Sequence, residues 1–86
     1  MSILSENVIP GNHGLKFGTN AILEDELVLL QSIIADIPGI KSVIINFEVF
    51  PRELTVHTSK LVKIKTIEEE VHETGFSVVP KDVFEL

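Results

Sequence analysis

The chain has 86 residues, a formal net charge of −6 and no cysteine. Its length predicts one small domain, and the missing thiols exclude disulfide bonds, a thiolate metal site and thiol catalysis. A phosphate backbone would be repelled by this charge, so we expect no nucleic-acid partner. The N-terminus lacks the pattern of a signal peptide and no apolar run has the length of a membrane span, so we expect a cytoplasmic protein with no membrane partner.

The chain is predicted to begin with a leader, residues 1–12, and a first strand. The turn sequence PGN at positions 10–12 separates the leader from this strand. The segment HGLKFGTN then alternates apolar and polar positions, which is typical of a strand whose inner face carries Leu15, Phe17 and Thr19.

A first helix is predicted over LEDELVLLQSIIADIPG, residues 23–39. Acidic residues at its start complement the helix dipole, and the Pro38-Gly39 pair ends it. Its apolar residues recur every three or four positions, which predicts a buried stripe made of Leu23, Leu27, Leu30, Ile34 and Ile37.

A hairpin, a second helix and a last strand are predicted for the rest of the chain. KSVIINFEVF (41–50) and ELTVHTSK (53–60) form the hairpin. The second helix covers about Ile64 to Thr74, and Gly75 caps it. FSVVP is a short last strand, and residues 81–86 form a tail. We expect the first hairpin strand to direct three side chains inward: Val43, Ile45 and Phe47.

This order of elements predicts the fold. Strand, helix, strand, strand, helix, strand is the pattern of the α+β ferredoxin-like βαββαβ sandwich. In that fold a four-stranded antiparallel sheet carries both helices on one face. Residues 13–80 would then form the domain, between the leader and the tail.

From Ala35 onward the chain resembles the heavy-metal-associated domain of copper chaperones and metal-transporting ATPases. In that family the first helix ends in a PGV-like turn, which leads into a strand patterned V-x-V-N. The second helix carries two aliphatic residues four apart and is followed by Gly-Tyr or Gly-Phe. The corresponding pieces of this chain are PGI at 38–40, VIIN at 43–46, Ile67 with Val71, and Gly75-Phe76.

The resemblance implies that the family's M-x-C-x-x-C metal loop corresponds to residues 21–26. Ala21 then takes the Met position, Leu23 the first Cys position and Glu26 the second. Leu and Glu cannot replace two thiolates that hold a soft Cu(I) ion, so the resemblance implies the fold and argues against copper binding. Phe76 takes the family position that packs under the loop, and we expect it to cover Leu23 so that an apolar plug replaces the metal site.

Carboxylates give an alternative metal site in the same segment. Glu24, Asp25 and Glu26, with His13, could hold a harder ion through oxygen and nitrogen ligands. Consecutive helical residues diverge by about 100°, however, so we interpret the acids as partners of the helix dipole. Two further histidines are interpreted as ordinary surface residues: His57 and His72.

The first helix carries more apolar residues than a helix on a sheet needs. Leu29 and Ile33 are expected off the core-facing stripe, with Val28 at its edge. An exposed stripe of this kind commonly marks a partner or self-association surface. Alternatively the leader or the tail covers it through Ile3, Leu4, Val83 and Phe84, and a weaker candidate surface is the open sheet face with Ile44 and Phe50.

The sequence therefore predicts a non-catalytic domain that contacts a protein partner, or a second copy of itself, through helix one. No serine lies in a recognisable nucleophile turn, so we expect no enzyme, and we expect no cofactor. Two alternatives stay open. One is metal binding through the carboxylates, and the other is a small-ligand regulatory module that dimerises around its ligand.

Overall fold

The computed structural model describes residues 8–85, which form two antiparallel sheets and two helices. A four-stranded sheet has the order β3-β4-β2-β6, and a two-stranded sheet pairs β1 with β5. The predicted ferredoxin-like βαββαβ architecture is confirmed for this part of the chain. The elements are β1 (Val8–Ile9), β2 (His13–Thr19), α1 (Glu24–Ala35), β3 (Ile40–Asn46), β4 (Glu53–Thr58), β5 (Val62–Lys63), α2 (Ile64–His72) and β6 (Val78–Glu85).

The two helices bury their apolar stripes against the inner face of the four-stranded sheet. α1 buries Leu27, Leu30 and Ile34, which recur at the spacing of one helix face. α2 ends at His72 with Glu73 as its C-cap, and Gly75 follows with φ +94°, a left-handed conformation that glycine adopts without strain. Other core residues are Leu15, Phe17, Leu54, Val56, Ile67 and Val71.

The first hairpin strand is shorter than the sequence predicts. β3 ends at Asn46, whose side-chain Oδ1 accepts a hydrogen bond of 3.0 Å from the Glu48 backbone N–H. This side-chain turn competes with the ladder and ends the strand. Phe47 is therefore 45% exposed, and its predicted place on the inner face is wrong.

Secondary structure continues beyond both predicted ends of the domain, residues 13 and 80. β1, in the predicted leader, pairs Ile9 with Val62, and Ile9 is fully buried. The fully buried Thr58 hydroxyl donates a 2.6 Å hydrogen bond to the Pro10 carbonyl, which fixes the chain between β1 and β2.

β6 continues to Glu85, so the prediction that the last strand ends at Pro80 is wrong. β6 lies at the edge of the sheet, where a proline does not interrupt a ladder. The division into residues 1–12, 13–80 and 81–86 stays a prediction.

Candidate functional site

Three loops of the described chain meet at one end of the four-stranded sheet: residues 20–23, 47–52 and 73–77. The Thr19 backbone N–H donates to the Arg52 carbonyl at 3.0 Å, which joins the first loop to the hairpin. The Ser77 backbone N–H donates to Asn20 Oδ1 at 2.9 Å, and the Thr19 hydroxyl donates to the Ser77 carbonyl at 2.8 Å. We call this the loop end, and it contains the positions of the predicted degenerate metal loop.

The Glu26 carboxylate closes the first loop onto itself. Its Oε1 accepts hydrogen bonds from the backbone N–H groups of Ile22 and Leu23, both at 3.0 Å. Leu23 is the N-cap of α1 and Glu26 its third helical residue, so the carboxylate satisfies amides that the helix start leaves unpaired. These two hydrogen bonds lower the pKa of Glu26.

The predicted apolar plug is wrong. Leu23 is 63% exposed, because the N-cap has extended backbone angles and lies before the first helical turn. Phe76 is half-buried and packs against the core instead of covering Leu23. The loop side chain that is fully buried is Ala21, whose backbone N–H is bound by the Thr19 hydroxyl at 3.2 Å.

The residues of the alternative carboxylate metal site do not lie close together in the structure. His13 begins β2 and the loop follows its end, so about 20 Å of strand separates them. The Nδ1 atom of His13 lies 2.9 Å from the Gly11 carbonyl. Glu24 and Asp25 are exposed at the start of α1, and Glu26 is bound to backbone amides. Within residues 8–81, no group of three His, Asp or Glu side chains is close enough to hold a metal ion.

A soft Cu(I) ion does not fit the side chains at the loop positions. Such an ion takes thiolate or thioether ligands, and Ala21, Leu23 and Glu26 offer a methyl group, an isobutyl group and an engaged carboxylate. Copper binding is therefore disfavoured by the donor atoms of these residues and not by the shape of the loop.

Helix α1 presents part of its apolar surface to solvent. Val28 is 45% exposed and Leu29 is 46% exposed, while Ile33 is half-buried. The buried residues of α1 are Leu27, Leu30 and Ile34, so none of the three residues belongs to the buried stripe, and their role as an interaction surface stays a prediction. The alternative in which Ile3, Leu4, Val83 and Phe84 cover this surface depends on side chains outside those that the structure describes.

Comparisons with known proteins identify the fold. No family model and no curated protein matches the chain. Among solved structures, it is similar to the copper(I)-loaded first domain of the human copper chaperone for SOD1, with a TM-score of 0.67 and 17% identity over 81% of this chain and 93% of that one. It is also similar to a copper-binding domain from HMA7, a P-type ATPase, with a TM-score of 0.71 and 15% identity over 83% of this chain and 96% of that one. The chain has the fold of a heavy-metal-associated domain.

A third structure with this heavy-metal-associated fold agrees. The apo form of the heavy-metal-associated domain of a copper chaperone for superoxide dismutase has a TM-score of 0.66 and 18% identity, over 85% of this chain and 71% of that one. The present chain has this heavy-metal-associated fold and contains no cysteine. Neither described helix is long and apolar enough to cross a membrane.

Sequence reasoning did not bring the exposed apolar side chains of the loop end together, because it predicts Phe50 on the open sheet face and Phe47 on the inner face. Phe50 is 73% exposed and Ile22 is 50% exposed. Two neighbouring aromatic residues in a hairpin turn, Phe47 and Phe50, are a signal that could have identified them. On the open sheet face Ile44 is 52% exposed, and the His57 Nδ1 lies 3.2 Å from the Ser42 hydroxyl. His72 is exposed at the end of α2, as predicted.

Proposed function

We propose that this domain is a non-catalytic, cytoplasmic protein-interaction module built on the heavy-metal-associated fold. One observation carries the proposal: on α1, Val28 is 45% exposed and Leu29 is 46% exposed, although both side chains are apolar. The neighbouring Glu26 uses its carboxylate to bind the loop backbone. This engagement of Glu26 supports a role other than metal handling, because the resemblance would place a metal ligand at that position.

The α1 ridge, which we define as Val28, Leu29 and Ile33, is the contact surface that we propose for this module. A helix that lies on a sheet needs apolar residues on its buried side only. Val28 and Leu29 are each almost half exposed, and neither belongs to the buried core. Their solvent exposure supports a role in binding a partner or a second copy of the chain.

The test compares three forms of the protein in a soluble extract of the source cells. The forms are wild type, a Val28→Ser/Leu29→Ser variant, and a Leu61→Ser control that changes a 60% exposed side chain in the loop between β4 and β5. We expect cross-linking to yield a complex with wild type and with the control, and a clear loss of it with the double variant. Thermal melting of each form first establishes that it is folded.

Two results would contradict the proposal. One is the same set of cross-linked proteins with all three forms. The other is a complex that forms only after a metal ion is added, which would return the domain to metal handling. The small-ligand regulatory module stays an untested alternative, and it predicts stabilisation by a ligand without metal.

A further inference from the structure

The loop end exposes a set of large apolar side chains that the core does not use. Their exposed fractions range from 45% to 73%, and each lies in a loop and not in a helix or strand. Scattered exposed apolar residues are normal on a protein surface, but a group at one place commonly marks a binding site. We call them the apolar end: Ile22, Leu23, Phe47 and Phe50.

The two loops that carry the apolar end are held in place by their own hydrogen bonds. Glu26 binds two amides of the first loop. In the hairpin loop Arg52 Nη1 donates to the Val49 carbonyl at 2.8 Å, and its guanidinium lies 5.9 Å from the centre of the Phe50 ring. A surface that is ordered before binding loses less conformational entropy when a partner docks.

Three exposed carboxylates lie next to the apolar end, against one cation in its own loops, the Arg52 guanidinium. Glu24 and Asp25 lie directly after Leu23, and Glu48 lies between the two phenylalanines. All three are exposed. The nearby Lys81 is neutralised by an ion pair with Glu53, with Nζ and Oε2 2.8 Å apart.

A second copy of the chain would bring the same acidic groups against each other, which disfavours self-association through this end. A partner with a basic rim would instead match the acidic one.

We infer that the apolar end docks a protein surface with an apolar centre and a rim of Lys or Arg, such as a basic amphipathic helix. The inference rests on the proposed interaction function and adds a second surface with a defined partner chemistry. Apolar contacts at Leu23 and Phe50 would supply most of the affinity, because central apolar anchors dominate protein interfaces. The acidic rim would select basic partners over acidic ones.

The test uses a synthetic amphipathic helical peptide of Leu and Lys that carries one Trp, and a matched peptide in which every Lys is Glu. The protein has no Trp and no Tyr, so the fluorescence of the peptide Trp reports binding without background from the protein. Wild type should bind the Lys peptide saturably, and the Glu peptide should not bind. Amide NMR shifts on wild type should change at residues 20–25 and 46–52.

Matched variants distinguish peptide binding at the apolar end from general electrostatic attraction between the protein and the peptide. Leu23→Ser/Phe50→Ser should raise Kd for the Lys peptide about tenfold or more, while Leu61→Ser at the opposite end of the sheet should not change it. Asp25→Lys and Asp36→Lys make the same change of charge at the two ends of α1. Only Asp25→Lys should raise Kd markedly.

Several outcomes would overturn the inference. An equal rise in Kd for Asp25→Lys and Asp36→Lys would mean that net charge alone attracts the peptide. A concentration-dependent dimer that Leu23→Ser/Phe50→Ser abolishes would make the occupant a second copy. Binding of the protein to phosphatidylcholine vesicles through Phe50, without binding of the peptide, would make the occupant a membrane. None of these outcomes decides the proposed function, whose test changes Val28 and Leu29.

Discussion

At residue 26, a single carboxylate changes what the loop can do. In the heavy-metal-associated pattern this position would carry the second thiolate, and here Glu26 accepts two backbone hydrogen bonds from Ile22 and Leu23. A carboxylate that accepts amide N–H groups is held in its charged form, which lowers its pKa. The Glu26 carboxylate therefore acts as a helix cap in this structure, and the lone pairs of its Oε1 atom accept hydrogen bonds from the loop backbone.

Replacing Glu26 by Gln should lower the melting temperature at pH 7, because a neutral amide is a weaker acceptor than a carboxylate for the two N–H groups. The pKa of Glu26 is lowered by folding, so its stabilisation is present above the ordinary glutamate pKa of about 4.3 and is lost as the pH falls through the folded-state value. The difference in melting temperature between wild type and Glu26→Gln should therefore shrink towards pH 2.

The control for this prediction is Glu24→Gln, which removes one charge from the same helical turn and leaves both hydrogen bonds of Glu26 in place. An equal effect of the two substitutions at pH 7 would attribute the stabilisation to the helix dipole and not to the cap.

The errors at the residue scale have a common cause. Leu23 continues the three- and four-residue spacing of α1, yet it is exposed because the N-cap does not share the helical backbone angles. Phe47 continues the alternation of β3, yet it lies outside the strand because Asn46 forms a side-chain turn. Periodicity predicts burial only inside an element, and the sequence pattern does not fix where each element ends.

At the element scale, β1 is the piece that sequence reasoning did not find. Its pairing with β5 joins residues that are more than fifty positions apart, and a two-residue strand has no readable alternation. α1 and α2 were found because their buried residues are close in sequence and recur with the helical period. Long-range pairing of short segments has no comparable local signal.

Ile9 should contribute to stability as a core residue, although it lies in the predicted leader. It is fully buried in β1, so Ile9→Ala should lower the free energy of unfolding by about 2–5 kcal/mol. The matched control is Ile44→Ala on the open sheet face, where the side chain is 52% exposed and the cost should stay under about 1 kcal/mol. Urea unfolding measures both values, and equal values would show that β1 is not part of the folded unit.

At the scale of the whole molecule, the order of elements was sufficient to predict the fold, and the three solved structures with this fold share 15–18% identity with the chain. The candidate site was predicted less well. Its position in the chain followed from the resemblance, but the exposure of Leu23 and the engagement of Glu26 depend on backbone geometry at the start of α1. The aromatic residues of the hairpin reach the same end only through the register of β2, β3 and β4.

If the scaffold still provides the geometry of a metal loop, then two substitutions should restore the ligands. Leu23→Cys/Glu26→Cys places thiols at the two positions that the resemblance assigns, at the start of a helix where the dipole favours thiolate. We expect this variant to take up about one Cu(I) per chain under reducing, oxygen-free conditions, measured by competition with a chromogenic Cu(I) chelator. Leu23→Ser/Glu26→Ser is the control, and equal copper uptake by both variants would contradict the expectation.

We propose that the loop positions of this heavy-metal-associated fold do not form a metal site. The most direct test of this proposal is an amide NMR titration of the wild-type, metal-free protein with Cu(I), Zn(II), Ni(II) and Mn(II). We expect no saturable shift in residues 20–27, because the Glu26 carboxylate is bound by the loop backbone and the loop offers no thiolate. Saturable shifts confined to residues 20–27 and Phe76 would contradict the proposal and would return the domain to metal handling.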